Sequence, residues 1–121
     1  MVLVDTSVWI DHLRAGSRHL TEHLEHGGVL GHPWVTGELA LGNLSNRSEI
    51  LTLLGNLPQA NLATPDEVLS LIDRESLHGL GIGYVDAQLI AATRLTPGAT
   101  LWTRDKRLAA TAERLGIGNR T

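Results

Sequence analysis

A chain of 121 residues, 42% of them hydrophobic, has the size of one domain and can bury about two-thirds of its unfolded surface without covalent staples. It has no cysteine, which excludes disulfides, thiolate nucleophiles and cysteine zinc sites and is compatible with a reducing compartment. Its net charge is −3, and nine of its ten basic residues are arginine, so global electrostatics do not steer it toward nucleic acid and any such contact has to be local. No apolar run approaches the ~18 residues of a membrane span, and an acid directly follows the apolar start, so a cytoplasmic protein is expected.

Val2 to Val4 reads as a short buried strand, with Asp5 at its carboxyl end and Thr6 or Ser7 as N-cap of a helix through Trp9, Ile10 and Leu13. Gly16-Ser17 opens a second helix, Leu20 and Leu24 inward, that stops at Gly27-Gly28; Val29-Leu30 is a brief strand before His32-Pro33. Trp34 to Leu44 is expected to be helical despite Gly37 and Gly42. In that register Glu38 shares the side of Val35 and Leu41 and faces the interior. Asn46 to Leu54 makes another helix, ended by Gly55 and Pro58, and Asn61 to Ala63 a short strand. Thr64-Pro65-Asp66-Glu67 is a helix start with a Thr cap, Pro at the first helical position and Glu three after the cap.

The glycine-rich turn Gly81-Ile82-Gly83 runs into an almost wholly apolar helix that starts near Gly83 and is closed by Thr96-Pro97-Gly98. Asp86 lies in its first turn on the side of Leu89 and Ile90, three and four residues on, so this carboxylate is expected on the buried side and needs a cation or donors nearby. Ala99 to Thr103 reads as a strand and Arg104 to Leu115 as a helix with Asp105 in its first turn; a last short strand is expected near Ile117. Strand alternating with helix predicts an α/β domain with a parallel sheet covered on both faces.

Asp5 and Asp105 each follow a strand, and open α/β sheets bind ligands outside the carboxyl ends of their strands. Asp86 and Glu38, early in inward-facing helices, can converge on the same place, giving three or four carboxylates with no arginine among them. Such a cluster calls for a hard divalent ion with oxygen ligands, Mg²⁺ above all, which keeps several waters and leaves room for a phosphate oxygen. That chemistry is phosphodiester hydrolysis by metal-activated water. Taken singly, the acids have simpler readings: Asp5 and Asp105 favour helix dipoles, and Glu38 fits a half-exposed helix position.

The start Val2-Leu3-Val4-Asp5-Thr6-Ser7-Val8-Trp9-Ile10, then Gly37-Glu38-Leu39, Asp86 heading an Ala/Leu-rich helix, and Leu101-Trp102-Thr103-Arg104-Asp105 together resemble the PIN domain, and within it VapC-type toxins. The resemblance spans the whole chain, so residues 1–121 are expected to be one PIN-like nuclease domain. It implies a three-layer α/β/α fold with a central parallel sheet and a Mg²⁺- or Mn²⁺-dependent endoribonuclease acting as the toxin of a type II toxin-antitoxin system. A homodimer, a VapB-like antitoxin and no small-molecule organic cofactor are implied as well. Carried over residue by residue, Asp5 and Asp86 are the principal metal ligands, Glu38 a ligand directly or through water, and Asp105 the outer ligand or second-metal site. Thr6 and Thr103 would orient a carboxylate or a water, although Thr6 serves equally as a helix cap. The implied products carry a 5′-phosphate and a 3′-hydroxyl. Arg104, Lys106 and Arg107 are the local basic cluster for phosphate contacts, a role that a solvated helix end explains as well.

Other signals compete. His19-Leu20-Thr21-Glu22-His23 matches the zinc peptidase pattern H-x-x-E-H, with His26 one turn on, but the pattern is short and lies on a surface-type helix. Gly79-x-Gly81-x-Gly83 lacks the strand and spacing of a dinucleotide loop and puts Asp86 where pyrophosphate would be repelled. An aspartyl phosphatase needs, from its own family pattern, a second aspartate where Ser7 stands. Trp9, Trp34 and Trp102 could stack bases, but their wide spacing favours core positions. The alternative function is a non-cleaving RNA- or protein-binding module on the same fold.

Overall fold

The run Val2–Val4 is buried at every position, as a strand covered on both faces has to be, and in the computed structural model, which describes residues 1–119, it forms the centre of the sheet. This strand, β1 (Val2–Val4), pairs in parallel with β2 (Val29–Leu30) on one side and β3 (Thr100–Trp102) on the other. Val4 stands opposite Trp102, so one step further in register Asp5 comes beside Thr103.

Single parallel bridges extend each edge, Gly31 to Gln59 beyond β2 and Leu101 to Gly118 beyond β3. The strand expected over Asn61 to Ala63 does not form. Pairing is complete before it, through Gly31 N–H to Pro58 O and Ala60 N–H to Gly31 O. Asn61 is then drawn off, its backbone N–H to Thr96 Oγ1 and its amide to Leu95 O. The strand expected near Ile117 is reduced to the Gly118 bridge, flanked by Leu101 N–H to Ile117 O and Asn119 N–H to Leu101 O.

The described helices are α1 (Thr6–Ala15), α2 (Arg18–Glu25), α3 (Pro33–Ala40), α4 (Arg47–Asn56), α5 (Pro65–Arg74), α6 (Tyr84–Leu95) and α7 (Lys106–Arg114). They complete a single α/β/α domain in which α3 packs on α1 and α4, and α6 packs on α5 and β3. α5 starts as its sequence predicts, with Thr64 and Glu67 closing a reciprocal capping box. α6 is buried at seven successive positions, Ala87 to Thr93, so it is enclosed on every side and not merely amphipathic.

α3 departs from expectation. It ends at Ala40, four residues early, because the N–H groups of Leu41 and Gly42 fold back onto carbonyls of its last turn. Its buried face is Val35 and Leu39, while Leu41 is 90% exposed. Glu38 therefore lies in solvent at the edge of that face, not inside it. Trp34 also departs: Trp9 and Trp102 are core residues, whereas Trp34 is exposed.

Gly31 and His32 continue β2, and the buried His32 side chain caps α3 by accepting the Trp34 N–H at Nδ1, 3.1 Å. Its Nε2 is buried with no hydrogen-bond partner among the described residues. Burial lowers the His32 pKa below its ordinary value of 6.5, so the unfolded chain takes up the proton first. The stability tied to a neutral His32 is complete above pH 6.5 and is lost as pH falls below it. Urea unfolding is thus expected to show a lower midpoint at pH 5.5 than at pH 7.5, and the difference should shrink in His32→Asn, whose amide can still cap α3.

Candidate active site

The carboxyl ends of β1 and β3 lie side by side, and hydroxyl groups join them. Thr103 Oγ1 donates to Asp5 Oδ2 at 2.7 Å and Ser7 Oγ donates to the same oxygen at 2.8 Å. Ser7 Oγ in turn accepts the Arg104 N–H at 3.0 Å, and Thr103 Oγ1 accepts the Asp105 N–H at 3.0 Å. Asp5, only 6% exposed, sits at the N-cap position of α1 without a side-chain cap bond, because its carboxylate is turned to these hydroxyls. Neither Thr6 nor Ser7 caps that helix. Thr6 instead donates from Oγ1 to Glu38 Oε1 at 2.6 Å, which ties α1 to α3.

The other two acids are fixed by backbone. Asp86 Oδ2 accepts the Gly83 N–H at 2.9 Å, and Asp105 Oδ1 accepts the Leu108 N–H at 2.9 Å, capping α7. A common pattern results: each acid spends one oxygen on a hydrogen bond that orients it, and among the described residues the second oxygen has no hydrogen-bond partner.

Three of the acids act on the fourth. Asp86 is half-buried, and its pKa is raised, first by burial and further by the negative charges of Asp5, Asp105 and Glu38, against the opposing Gly83 N–H. Among the described residues no arginine or lysine pairs with any of the four, and no three acidic or imidazole side chains are drawn together closely enough to hold an ion by themselves. The donor set nevertheless fits a hard divalent cation. It is all oxygen and all anionic, and Mg²⁺ typically takes one or two carboxylates and completes its shell with water and substrate phosphate.

Of the basic candidates, Arg104 is engaged with Asp11 at 3.1 Å. Arg107 lies over the glycine turn, where a Cβ on Gly81 would collide with its guanidinium; Gly81 also has φ +77°, a conformation that favours glycine. Lys106 is exposed. The H-x-x-E-H residues do not form a site: His19 is exposed, Glu22 pairs with Arg18 at 3.3 Å, and the His23 ring rests edge-on against Trp102. Ser7 is the site residue that sequence alone offers only as a cap. The one signal for it is a second hydroxyl two positions after Asp5, the spacing that lets the first turn of α1 fold back on its own N-cap residue.

An acid cluster at the carboxyl edge of a parallel sheet, inside an α/β/α domain, defines the class. The PIN domain matches over residues 2–114, and the chain belongs to that family. Two proteins of Mycobacterium tuberculosis, from strains CDC 1551 / Oshkosh and ATCC 25618 / H37Rv and both named Ribonuclease VapC32, are each 50% identical to it over 117 residues, 97% of this chain and 94% of theirs.

Burial and the negative charges of Asp5, Asp105 and Glu38 disfavour the ionised Asp86 carboxylate in the metal-free protein. Asp86→Asn keeps an acceptor for the Gly83 N–H and removes the repulsion, so its Tm in EDTA is expected to exceed the wild-type value by about 2–5 °C. Calorimetry with and without Mg²⁺ checks this, and the gain should vanish or reverse when the ion is present.

Proposed function

We propose that this chain is a divalent-metal-dependent endoribonuclease, the toxin of a type II toxin-antitoxin pair, with residues 1–121 as one nuclease domain. The observation that carries the reading is the set Asp5, Glu38, Asp86 and Asp105, each oriented through one oxygen with the other open, in a PIN-family chain half identical to proteins named Ribonuclease VapC32. Asp5 and Asp86 would be the principal ligands of Mg²⁺ or Mn²⁺, with Glu38 and Asp105 acting directly or through water.

When bound, the ion supplies an activated water and neutralises charge on the oxygen that leaves phosphorus. The chain's own work is orientation. Ser7 and Thr103 fix the Asp5 carboxylate through Oδ2, Thr6 fixes Glu38, and the N–H groups of Gly83 and Leu108 fix Asp86 and Asp105. Arg104, Lys106 and Arg107 are the residues for the phosphate contacts, Arg104 by exchanging its solvent-exposed pairing with Asp11. Water, not the neighbouring 2′-hydroxyl, attacks phosphorus, and the bond to the 3′-oxygen breaks, leaving a 5′-phosphate and a 3′-hydroxyl. A VapB-like antitoxin, a homodimer and a cytoplasmic location belong to the same reading, with no organic cofactor. Among the described residues no helix is long and apolar enough to cross a membrane.

The test is cleavage of total cellular RNA by antitoxin-free protein with Mg²⁺ or Mn²⁺. Discrete fragments with 5′-phosphates are expected, absent in EDTA and in Asp86→Asn. Ser7→Ala and Thr103→Ala should each lower kcat/KM by about 10–100-fold, the usual cost of losing a group that orients a ligand. A folded protein that cuts nothing in Mg²⁺ or Mn²⁺, or fragments ending in a 2′,3′-cyclic phosphate, would count against the reading and leave the binding module.

A further inference from the structure

Two aromatic side chains remain in solvent where the helices carrying Glu38 and Asp86 meet. Trp34 and Tyr84 are each 43% exposed, and their rings stand edge to face with centroids 5.8 Å apart. Trp34 is the second residue of α3, one helical turn before Glu38, and Tyr84 is the first residue of α6, two before Asp86. Both are anchored. The buried Gln88 donates from Nε2 to the Tyr84 hydroxyl at 3.1 Å, and the backbone N–H of Trp34 is bonded to buried His32.

A pair whose only task is to join α3 to α6 gains most when covered, yet both residues are well exposed to water. The surroundings give RNA little electrostatic attraction, since the chain carries a net charge of −3 and the nearest side chains of the site are acids. Affinity for a nucleic acid then needs a source other than charge, and a fixed aromatic face supplies one by stacking.

We propose that Trp34 and Tyr84 form a base-stacking platform that seats one unpaired nucleobase of single-stranded RNA beside the acid cluster. The platform deepens the ribonuclease reading and rests on it for its substrate class. It selects loops and ends whose bases are free, because paired bases in a duplex have no face to offer.

The experiment uses the whole chain in EDTA at low salt with three probes: an oligoadenylate RNA of about ten nucleotides, an abasic ribose-phosphate chain of equal length, and a duplex of the same RNA. A fluorescein label at one end of each strand reads affinity by anisotropy in every variant, and because Trp9 and Trp102 are buried at 5% and 8% exposure, quenching of wild-type tryptophan emission by bound adenine reports on Trp34. Wild type is expected to bind the base-bearing strand about tenfold or more tightly than the abasic one. Trp34→Ala should erase that preference, and Trp34→Phe, which keeps a ring, should retain most of it. Equal affinity for base-bearing and abasic strands, or a preference unchanged in Trp34→Ala and Tyr84→Leu, would overturn the proposal and leave the pair as a protein contact. Thermal melting of each variant controls for folding; if Trp34→Ala does not fold, Tyr84→Leu and the wild-type quench decide. Cleavage in Mg²⁺ is measured in parallel. Base-dependent binding without cleavage keeps the platform and removes the nuclease, whereas cleavage with base-independent binding removes the platform alone.

Discussion

The parallel register between β1 and β3 is the constraint on which the site depends. With Val4 opposite Trp102, the next residues out of the sheet are Asp5 and Thr103, and the Asp5 N–H still bonds to Trp102 O at 2.9 Å. Asp5 and Thr103 are 98 residues apart in sequence, yet the two strand ends share one hydroxyl-carboxylate network. A shift of one residue in either strand would turn Asp5 or Thr103 to the other face. Buried Leu3, Val4 and Leu101 hold the register, so apolar packing in the sheet fixes the position of a polar group just beyond it.

The acids themselves oppose that arrangement. Asp86 loses hydration and feels three like charges, and no arginine or lysine among the described residues pairs with it. Its place is secured by the Gly83 N–H, which favours the charged carboxylate, and by the closely enclosed α6, whose Ala87, Ala91 and Ala92 leave no bulk between backbone and neighbours. This is the expected form of a site built for a ligand, in which the apolar scaffold supplies stability that the functional groups withhold.

Legibility in the sequence follows from how local each signal is. The capping box at Thr64 and the glycine turn ahead of Asp86 are encoded within four or five residues, and both appear as read. Asp5 and Asp105 were legible from strand ends alone, since a parallel sheet gathers those ends on one edge. Glu38 was legible as a site candidate but not in its surroundings, because where α3 stops depends on which N–H closes its last turn. The exposure of Trp34 and the role of Ser7 depend on partners 50 and 96 residues away, Tyr84 and Thr103, and no periodicity carries that information. Asn61 illustrates the same limit: its side chain answers to Leu95, and the strand predicted there gives way.

The basic residues complete the picture of how such a site meets RNA. Arg94 pairs with Glu75 at 2.9 Å, Arg114 donates to the Glu75 carbonyl, and Arg104 pairs with Asp11, so much of the positive charge is committed to joining surface elements. Little is left for a broad electrostatic track, and the number of phosphates such a protein can neutralise is small. A low count of neutralised phosphates gives a shallow dependence of affinity on salt, and it shifts selectivity to whatever reads the bases. In the proposed nuclease the carboxylates therefore serve the reacting phosphate through an ion, and recognition of the strand falls to non-ionic contacts around them.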